Sequence, residues 1–332
     1  MFEGKKILIT GGTGSLGTAL VERLLSLDVE QIRIFSRNEL KQVEADSKFS
    51  DSRLRFLIGD VRELDRLIRA TEDVDFVFHA AALKHVDKIE YNPFEAIKTN
   101  VNGSQNVIDA CLHNNVKKAI CIGTDKAVSP LNTYGATKLL TEKLFVSAMH
   151  YSNPKKHPTN FIAVRYGNVF GSSGSVIPRF IQQIQSKQKI TITDPNMTRF
   201  SITMDEALDL ILNAMELGKG SEIFVPKLKS YSIQTVRDTL FELLDNTGEE
   251  IIGIRPGEKI HEVLINKDEI RKTWELDNQY IIPNAYSTAE QIQSSYDNIK
   301  KVTDLELYSS EHAKRMEKDE LKNIISKYGM II

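Results

Sequence analysis

The chain has 332 residues, room for about two domains and for a core that needs neither disulfides nor a structural metal. Lys plus Arg number 43 against 45 Asp plus Glu, a net charge of −2 that argues against a nucleic-acid binder. With 41% hydrophobic and 27% charged residues, wholesale disorder and a membrane-spanning chain are excluded.

The chain enters a strand at once, Lys6–Thr10, with no apolar leader ahead of it. Further strand-like runs are 31–35, Leu54–Ile58, Phe76–His79, Lys118–Ile122 and 161–164. They are short, apolar and often β-branched, as strands buried on both faces should be. Helical spacing fills the gaps, with Leu16, Leu20, Leu24 and Leu27 on one stripe and further patterns at 106–111, 139–148 and before Asp73. This alternation predicts an α/β fold, a Rossmann-type doubly wound parallel sheet with helices on both faces.

After Arg165 the rhythm changes. Glycines, prolines and polar residues cluster in 166–178, then helices are expected at Val176–Gln185, 205–217 and 232–246 and strands at Ile223–Pro226 and 250–254. The expected organisation is a cofactor domain over 1–167, with a segment returning to it near 200–220. A smaller substrate-binding domain and polar tail then occupy 168–332, with one further helix at 313–328. The longest apolar run, 76–83, is interrupted by His79 and too short for a bilayer, so a cytoplasmic protein with no membrane partner is expected. Cys111 and Cys121 read as small core residues in a reducing compartment.

Chemistry begins after the first strand. Gly11, Thr13, Gly14, Ser15, Leu16 and Gly17 form a glycine-rich turn that opens a helix. Gly11 permits the turn, Gly14 lets backbone approach a pyrophosphate, and Gly17 lets helix and strand pack closely. The second strand ends at Ser36-Arg37, where an NAD site wants a carboxylate for the ribose 2′-hydroxyl. A hydroxyl and a guanidinium suit a 2′-phosphate instead, so NADP is the expected cofactor. Asp60 and Val61, after the third strand, are placed beside the adenine. Tyr134 and Lys138 are four apart and share a helix face. An ammonium there would lower the tyrosine pKa and make Tyr134 a base near neutrality, while Lys138 could also hold the nicotinamide ribose. His79 and His85 have no partners at metal-ligand spacing and are read as structural, so no metal is expected.

The glycine loop, His79-Ala80-Ala81-Ala82, and Tyr134 with Lys138 resemble the extended short-chain dehydrogenase/reductase superfamily. Ala82-Leu83-Lys84, Glu90-Tyr91-Asn92-Pro93, Thr124-Asp125-Lys126-Ala127, Arg165-Tyr166-Gly167-Asn168-Val169, Met197-Thr198-Arg199-Phe200 and Ile254-Arg255-Pro256-Gly257-Glu258-Lys259 resemble one branch of it. That branch is the polysaccharide-biosynthesis nucleotide-sugar dehydratases, typified by inverting UDP-N-acetylglucosamine 4,6-dehydratases. The likeness runs from the start to about Lys267.

The resemblance implies a UDP-sugar substrate, Ala80 and Ala82 along the cofactor, and a homo-oligomer. It places Asn168 at the nucleotide diphosphate and Arg255 with Glu258 at the UDP phosphates and ribose. Arg199 is a similar candidate, and Lys84 is within reach of the sugar. After the fifth strand, Asp125-Lys126 follows Thr124. Oxidation at the sugar C4 acidifies C5, and elimination then needs a base for C5 and an acid for the C6 hydroxyl. Lys126 can be that base if its pKa is lowered and Asp125 the acid if held protonated, or the two can exchange roles. Thr124 can hydrogen-bond the C4 oxygen. The rival readings are a UDP-sugar 4-epimerase, which needs no such pair, and a non-catalytic NADP-binding scaffold, which needs no intact Tyr134 and Lys138.

Overall fold

A computed structural model describes residues 1–153, 155–172 and 175–331; Ser173 and Gly174, inside the expected 166–178 loop, lie outside the described residues. Strands β1 (Lys6–Thr10), β2 (Gln31–Ser36), β3 (Leu54–Ile58), β4 (Phe76–His79), β5 (Lys118–Ile122) and β6 (Asn160–Val164) pair in parallel. Helices α1 (Ser15–Leu25), α2 (Glu39–Phe49), α3 (Leu64–Thr71), α4 (Val86–Tyr91), α5 (Pro93–Ala96), α6 (Gly103–His113) and α7 (Thr133–Tyr151) cover the sheet. One apolar layer packs Leu20, Leu24, Ile32, Ile34 and Ile211 on one face. The other packs Val107, Cys111, Phe145 and Phe161 on the opposite face. Both cysteines are free and buried there, and burial pushes the Cys121 thiol up to about 12.

In the second half, β7 (Asn168–Val169), α8 (Val176–Gln185), β8 (Ile190–Ile192), β9 (Thr198–Ile202), α9 (Met204–Leu217), β10 (Ile223–Pro226), β11 (Ser230–Ser232) and α10 (Ile233–Leu243) follow in order. Then come β12 (Glu249–Ile251), β13 (Val263–Ile265), α11 (Lys267–Ile270), β14 (Trp274–Leu276) and β15 (Gln279–Ile282). The chain finishes with α12 (Ala289–Ser295), β16 (Lys300–Lys301), β17 (Tyr308–Ser309) and α13 (Lys318–Lys327). A third apolar cluster, including Phe180, Ile184, Ile192, Tyr231, Leu240 and Leu321, is the core of this smaller part.

The expected boundary at 167/168 does not divide the large sheet. Its order is β16-β14-β15-β10-β6-β5-β4-β1-β2-β3, so four strands from the second half extend it past β6. β10 joins in parallel, and β15, β14 and β16 join antiparallel. The returning segment expected near 200–220 is α9, which packs against β5, β6 and α1, where Arg23 Nη1 bonds Asp209 Oδ1 at 2.5 Å. Among the described residues no helix is long and apolar enough to cross a membrane.

One buried ion cluster ties the two halves together. Arg165, fully buried after β6, donates to both oxygens of Glu142 on α7 (3.0 and 2.5 Å) and both of Glu269 on α11 (2.9 Å each). A second buried carboxyl, Glu222, accepts from the Tyr296 hydroxyl at 2.9 Å and from the Gly220 and Lys219 amides, yet burial still pushes it up to about 7. The folded state therefore holds this proton more tightly than the unfolded chain. Stability on this account falls as pH rises from about 4.5 to about 7, and stays lower above it. We expect Glu222→Gln to raise the melting temperature at pH 8 relative to native protein by more than it does at pH 5. An equal difference at both pH values would remove Glu222 from the account.

Candidate active site

The phosphate cradle is built where β1 turns into α1. Gly11 has φ +70°, and a Cβ there would lie 2.8 Å from the Ala81 backbone. A Cβ on Gly17 would lie 2.5 Å from the Gly11 carbonyl, so both positions exclude side chains. Gly14 is the N-cap of α1 and offers no side chain to the first-turn amides, which leaves them for an anion. Thr13 and Leu16 are half-buried, and Ser15 is exposed. This cradle fits a dinucleotide pyrophosphate.

At the end of β2 the guanidinium of Arg37 is half-exposed and lies 3.4 Å from Asp60 Oδ2. Asp60 Oδ1 caps the Arg62 amide, and Val61 is buried beneath. Ser36 departs from expectation: its hydroxyl is buried and accepts from Gln42 Nε2 at 3.0 Å. Gln42, on the first turns of α2, occupies it, so the exposed group on this rim is Arg37.

The β4 end carries Ala80 and Ala82, both half-buried, and the exposed Lys84. Asn100 fixes this stretch: its Oδ1 accepts from the Leu83 amide (2.8 Å), and its Nδ2 donates to the Leu83 carbonyl (3.0 Å) and to Thr137 Oγ1 (3.0 Å). Asn100 sits in a π-helical turn, Ile97–Asn102, whose wider winding turns it inward. His79 bonds Thr10 Oγ1 and Ser104 Oγ and stacks on Phe145. Burial pushes it down to about 3, which makes it a neutral structural link.

Thr124, Asp125 and Lys126 lie at the β5 end, opposite the first turns of α7, which Asn132 caps through the Gly135 amide (2.8 Å). Asp125 is fully buried; its Oδ1 accepts from Thr124 Oγ1 (2.9 Å) and Lys126 Nζ (3.0 Å). Asp125 Oδ2 is buried without a partner among the described residues. Lys126 Nζ also donates to Asn168 Oδ1 at 3.1 Å. Asn168, assigned by resemblance to the diphosphate, thus steadies the lysine in this structure.

Two expectations about charge are corrected. Burial would lower the Lys126 pKa, but Asp125 and Glu262 outweigh it and raise it, so Lys126 is an ammonium here. Tyr134 is likewise raised, chiefly by burial; the cation that opposes this is Lys126, not Lys138. Lys138 donates to the Ile122 carbonyl at 2.6 Å, and burial lowers its pKa. Tyr134 and Lys138 do share one face of α7, but the ammonium is drawn to the strand end.

On the far wall Arg199 donates to the Thr198 and Ile260 carbonyls, and its Nε lies 3.8 Å from Glu262 Oε1. Lys259 reaches the Val128 carbonyl at 2.5 Å, and Asn132 Nδ2 the Gly257 carbonyl at 2.9 Å, which seats 257–262 over the β5 end. Arg255 is half-exposed, 3.8 Å from Glu258. Arg179 on α8 donates to Thr191 Oγ1 at 2.6 Å, and burial, then the charge of Arg255, lowers its pKa. Sequence reading missed Asn100, Arg179, Lys259 and Glu262; only Lys259 lay in a quoted motif. Among the described residues no three His, Cys, Asp or Glu side chains gather as a metal site.

Residues 7–284 match the family described as "Polysaccharide biosynthesis protein". The "UDP-N-acetylglucosamine 4,6-dehydratase (inverting)" of Campylobacter jejuni subsp. jejuni serotype O:23/36 is 47% identical over 319 residues, covering 94% of each chain. A "UDP-glucose 4-epimerase" of Rickettsia massiliae is 41% identical over 330 residues, covering 98% of this chain and 96% of the relative. The solved structure of Pen from Bacillus thuringiensis is 40% identical with TM-score 0.92, each chain covered completely. The chain belongs to the polysaccharide-biosynthesis protein family, of the short-chain dehydrogenase/reductase type.

Proposed function

We propose that this protein is a UDP-N-acetylglucosamine 4,6-dehydratase, inverting at C5. The observation that carries the reading is the Thr124-Asp125-Lys126 group at the β5 end, held opposite Tyr134 and Lys138 beside an open phosphate cradle. A nicotinamide dinucleotide held by the cradle of Gly11, Gly14 and Gly17 would supply hydride transfer to and from the sugar. Tyr134 is placed to take the proton of the C4 hydroxyl, the Lys126 charge opposing the burial that raises its pKa, and Thr124 hydrogen-bonds that oxygen. Asp125 and Lys126 move the protons of elimination, one removing the C5 proton and the other giving a proton to the leaving C6 hydroxyl. Gly11, Gly14 and Gly17 bring backbone to the pyrophosphate, with Ala80 and Ala82 along the dinucleotide. Arg255, Arg179 and Glu258 hold the nucleotide end of the substrate, where planar guanidinium forks suit diphosphate oxygens. Tyr91, Phe94 and Leu140 stay exposed on the α4–α7 face, which supports a homo-oligomer.

Incubation with UDP-N-acetylglucosamine and no added reductant tests this. Loss of one water in the product supports dehydration. Unchanged mass with a new sugar means 4-epimerisation, the reading favoured by the Rickettsia relative's name.

For the cofactor we infer NADP, supported by Arg37 at the β2 rim. Calorimetry is expected to show tighter binding of NADP than NAD, with Arg37→Ala narrowing the difference about tenfold, the scale of one lost charge-assisted contact. Equal affinity of native protein for both would refute the assignment.

A further inference from the structure

Asn132 joins two parts of the site through one half-buried side chain. On one side it is the N-cap of α7: its Oδ1 accepts from the Gly135 amide at 2.8 Å, while Glu90 Oε1 accepts from the Thr133 amide at 2.6 Å. That first turn carries Tyr134 and lies hard against the Thr124-Asp125-Lys126 group, since a Cβ on Gly135 would collide with the Lys126 carbonyl. On the other side Asn132 Nδ2 donates to the Gly257 carbonyl at 2.9 Å. Pro256 and Gly257 are the central residues of a tight turn, closed by the Glu258 amide on the Arg255 carbonyl at 3.1 Å, with Gly257 at φ +79°. A Cβ on Gly257 would lie 3.1 Å from Asn132 Cβ, so the missing side chain lets the turn approach this closely. The ends of the turn are Arg255 and Glu258 themselves. A single amide thus gives its acceptor to the helix of Tyr134 and its donor to the turn of Arg255. Lys259 ties the same two segments at the Val128 carbonyl, on the strand side of the cap.

We propose that Asn132 is a positioning residue that couples the nucleotide end of the substrate site to Tyr134. The inference rests on reading Arg255 and Glu258 as nucleotide contacts and Tyr134 as the base at C4. A nucleoside diphosphate engaged by the turn fixes the Gly257 carbonyl, the carbonyl orients the Asn132 amide, and the same amide holds the first turn of α7. Linkage makes the effect reciprocal: an ordered first turn of α7 favours nucleotide binding as much as the nucleotide favours that order. The phosphate cradle between β1 and α1 lies outside this link, so cofactor affinity does not depend on it.

Aspartate and serine cap helices about as well as asparagine. An ionised aspartate has no donor for Gly257, and serine is too short to span cap and turn together. Asn132→Asp and Asn132→Ser therefore keep the cap and break the link. The first arm needs no ligand: hydrogen exchange of the full-length protein, read by mass spectrometry. Peptides covering 255–258 are expected to exchange about tenfold faster in both variants, the scale of one lost hydrogen bond, and peptides covering 133–138 at the native rate. Native exchange at 255–258 overturns the proposal. Faster exchange at 133–138 as well overturns it too, because Asn132 is then only a cap. In the second arm UDP is the probe. It should slow exchange over 133–138 in native protein but not in the variants, which bind it about tenfold more weakly with cofactor affinity unchanged. Equal protection of 133–138 in native protein and variants overturns the proposal. If one variant fails to fold, the other decides; if neither folds, the role is structural and the proposal falls. Native protein that binds no UDP refutes the nucleotide reading instead, and the first arm alone then judges Asn132.

Discussion

Replacing Lys126 by alanine is expected to cut formation of the dehydrated sugar about a thousandfold, within the range a positioned acid or base contributes. The reason is local. Lys126 Nζ is held at 3.0 Å from Asp125 and 3.1 Å from Asn168, and a methyl group there can neither take nor give a proton. Tyr134 and Lys138 remain, so a 4-keto sugar can still form and is detectable by mass spectrometry. In deuterated solvent the native enzyme should place deuterium at C5, since the carbon is deprotonated and reprotonated; a 4-epimerase leaves C5 untouched. Efficient dehydration by Lys126→Ala would take the lysine out of the mechanism and leave Asp125 to act alone.

The largest stability effect is expected at Arg165. Arg165→Met strands Glu142, which has no exposure, and leaves Glu269 beside it without its cation. Removing one partner of a buried pair costs about 3–5 kcal/mol, because an uncompensated charge stays behind. Urea unfolding at pH 7 should show this as a lower midpoint at unchanged slope. The pH dependence has a definite sign. Burial would raise the Glu269 pKa, but Arg165 overcomes it and holds it below the usual range. That stabilisation is present above the unfolded pKa and is lost as pH falls through the folded one. The gap between Arg165→Met and native protein should therefore shrink in acid. A constant gap down to pH 3 would mean the arginine acts through packing alone.

The inner parallel strands β4, β5 and β6 were legible because burial on both faces leaves little room for polar residues. The four-residue run Phe76–His79 is fully buried and was bounded correctly from sequence. β16 was not legible, since Lys300 and Lys301 are both exposed on an edge and carry no apolar signal. α7 begins at Thr133, earlier than its apolar pattern at 139–148, because its first turns face the active site with Tyr134, Thr137 and Lys138. Within the site, the residues flanking the β5 end were readable as motifs. What they touch was not: nothing in a string of letters shows that Asn168 faces Lys126, that Gln42 covers Ser36, or that a lone Glu262 is buried. Those contacts join positions far apart in sequence, and charged residues bury only where tertiary partners allow it.

The interleaved sheet also bears on biogenesis. β6 ends at Val164, yet β10, its neighbour on the open side, is not made until Ile223–Pro226, and β15 and β14 arrive later still. The third member of the Arg165 cluster lies 104 residues downstream of the arginine. A ribosome translating this message therefore holds a nascent parallel edge with unpaired amides and carbonyls while about 60 more residues are polymerised, several seconds at ordinary elongation rates. An exposed strand edge is a template for pairing with other chains. Chains released near residue 220 should be captured by chaperones or aggregate, whereas chains carrying 1–301 can close the edge with their own β10, β15, β14 and β16.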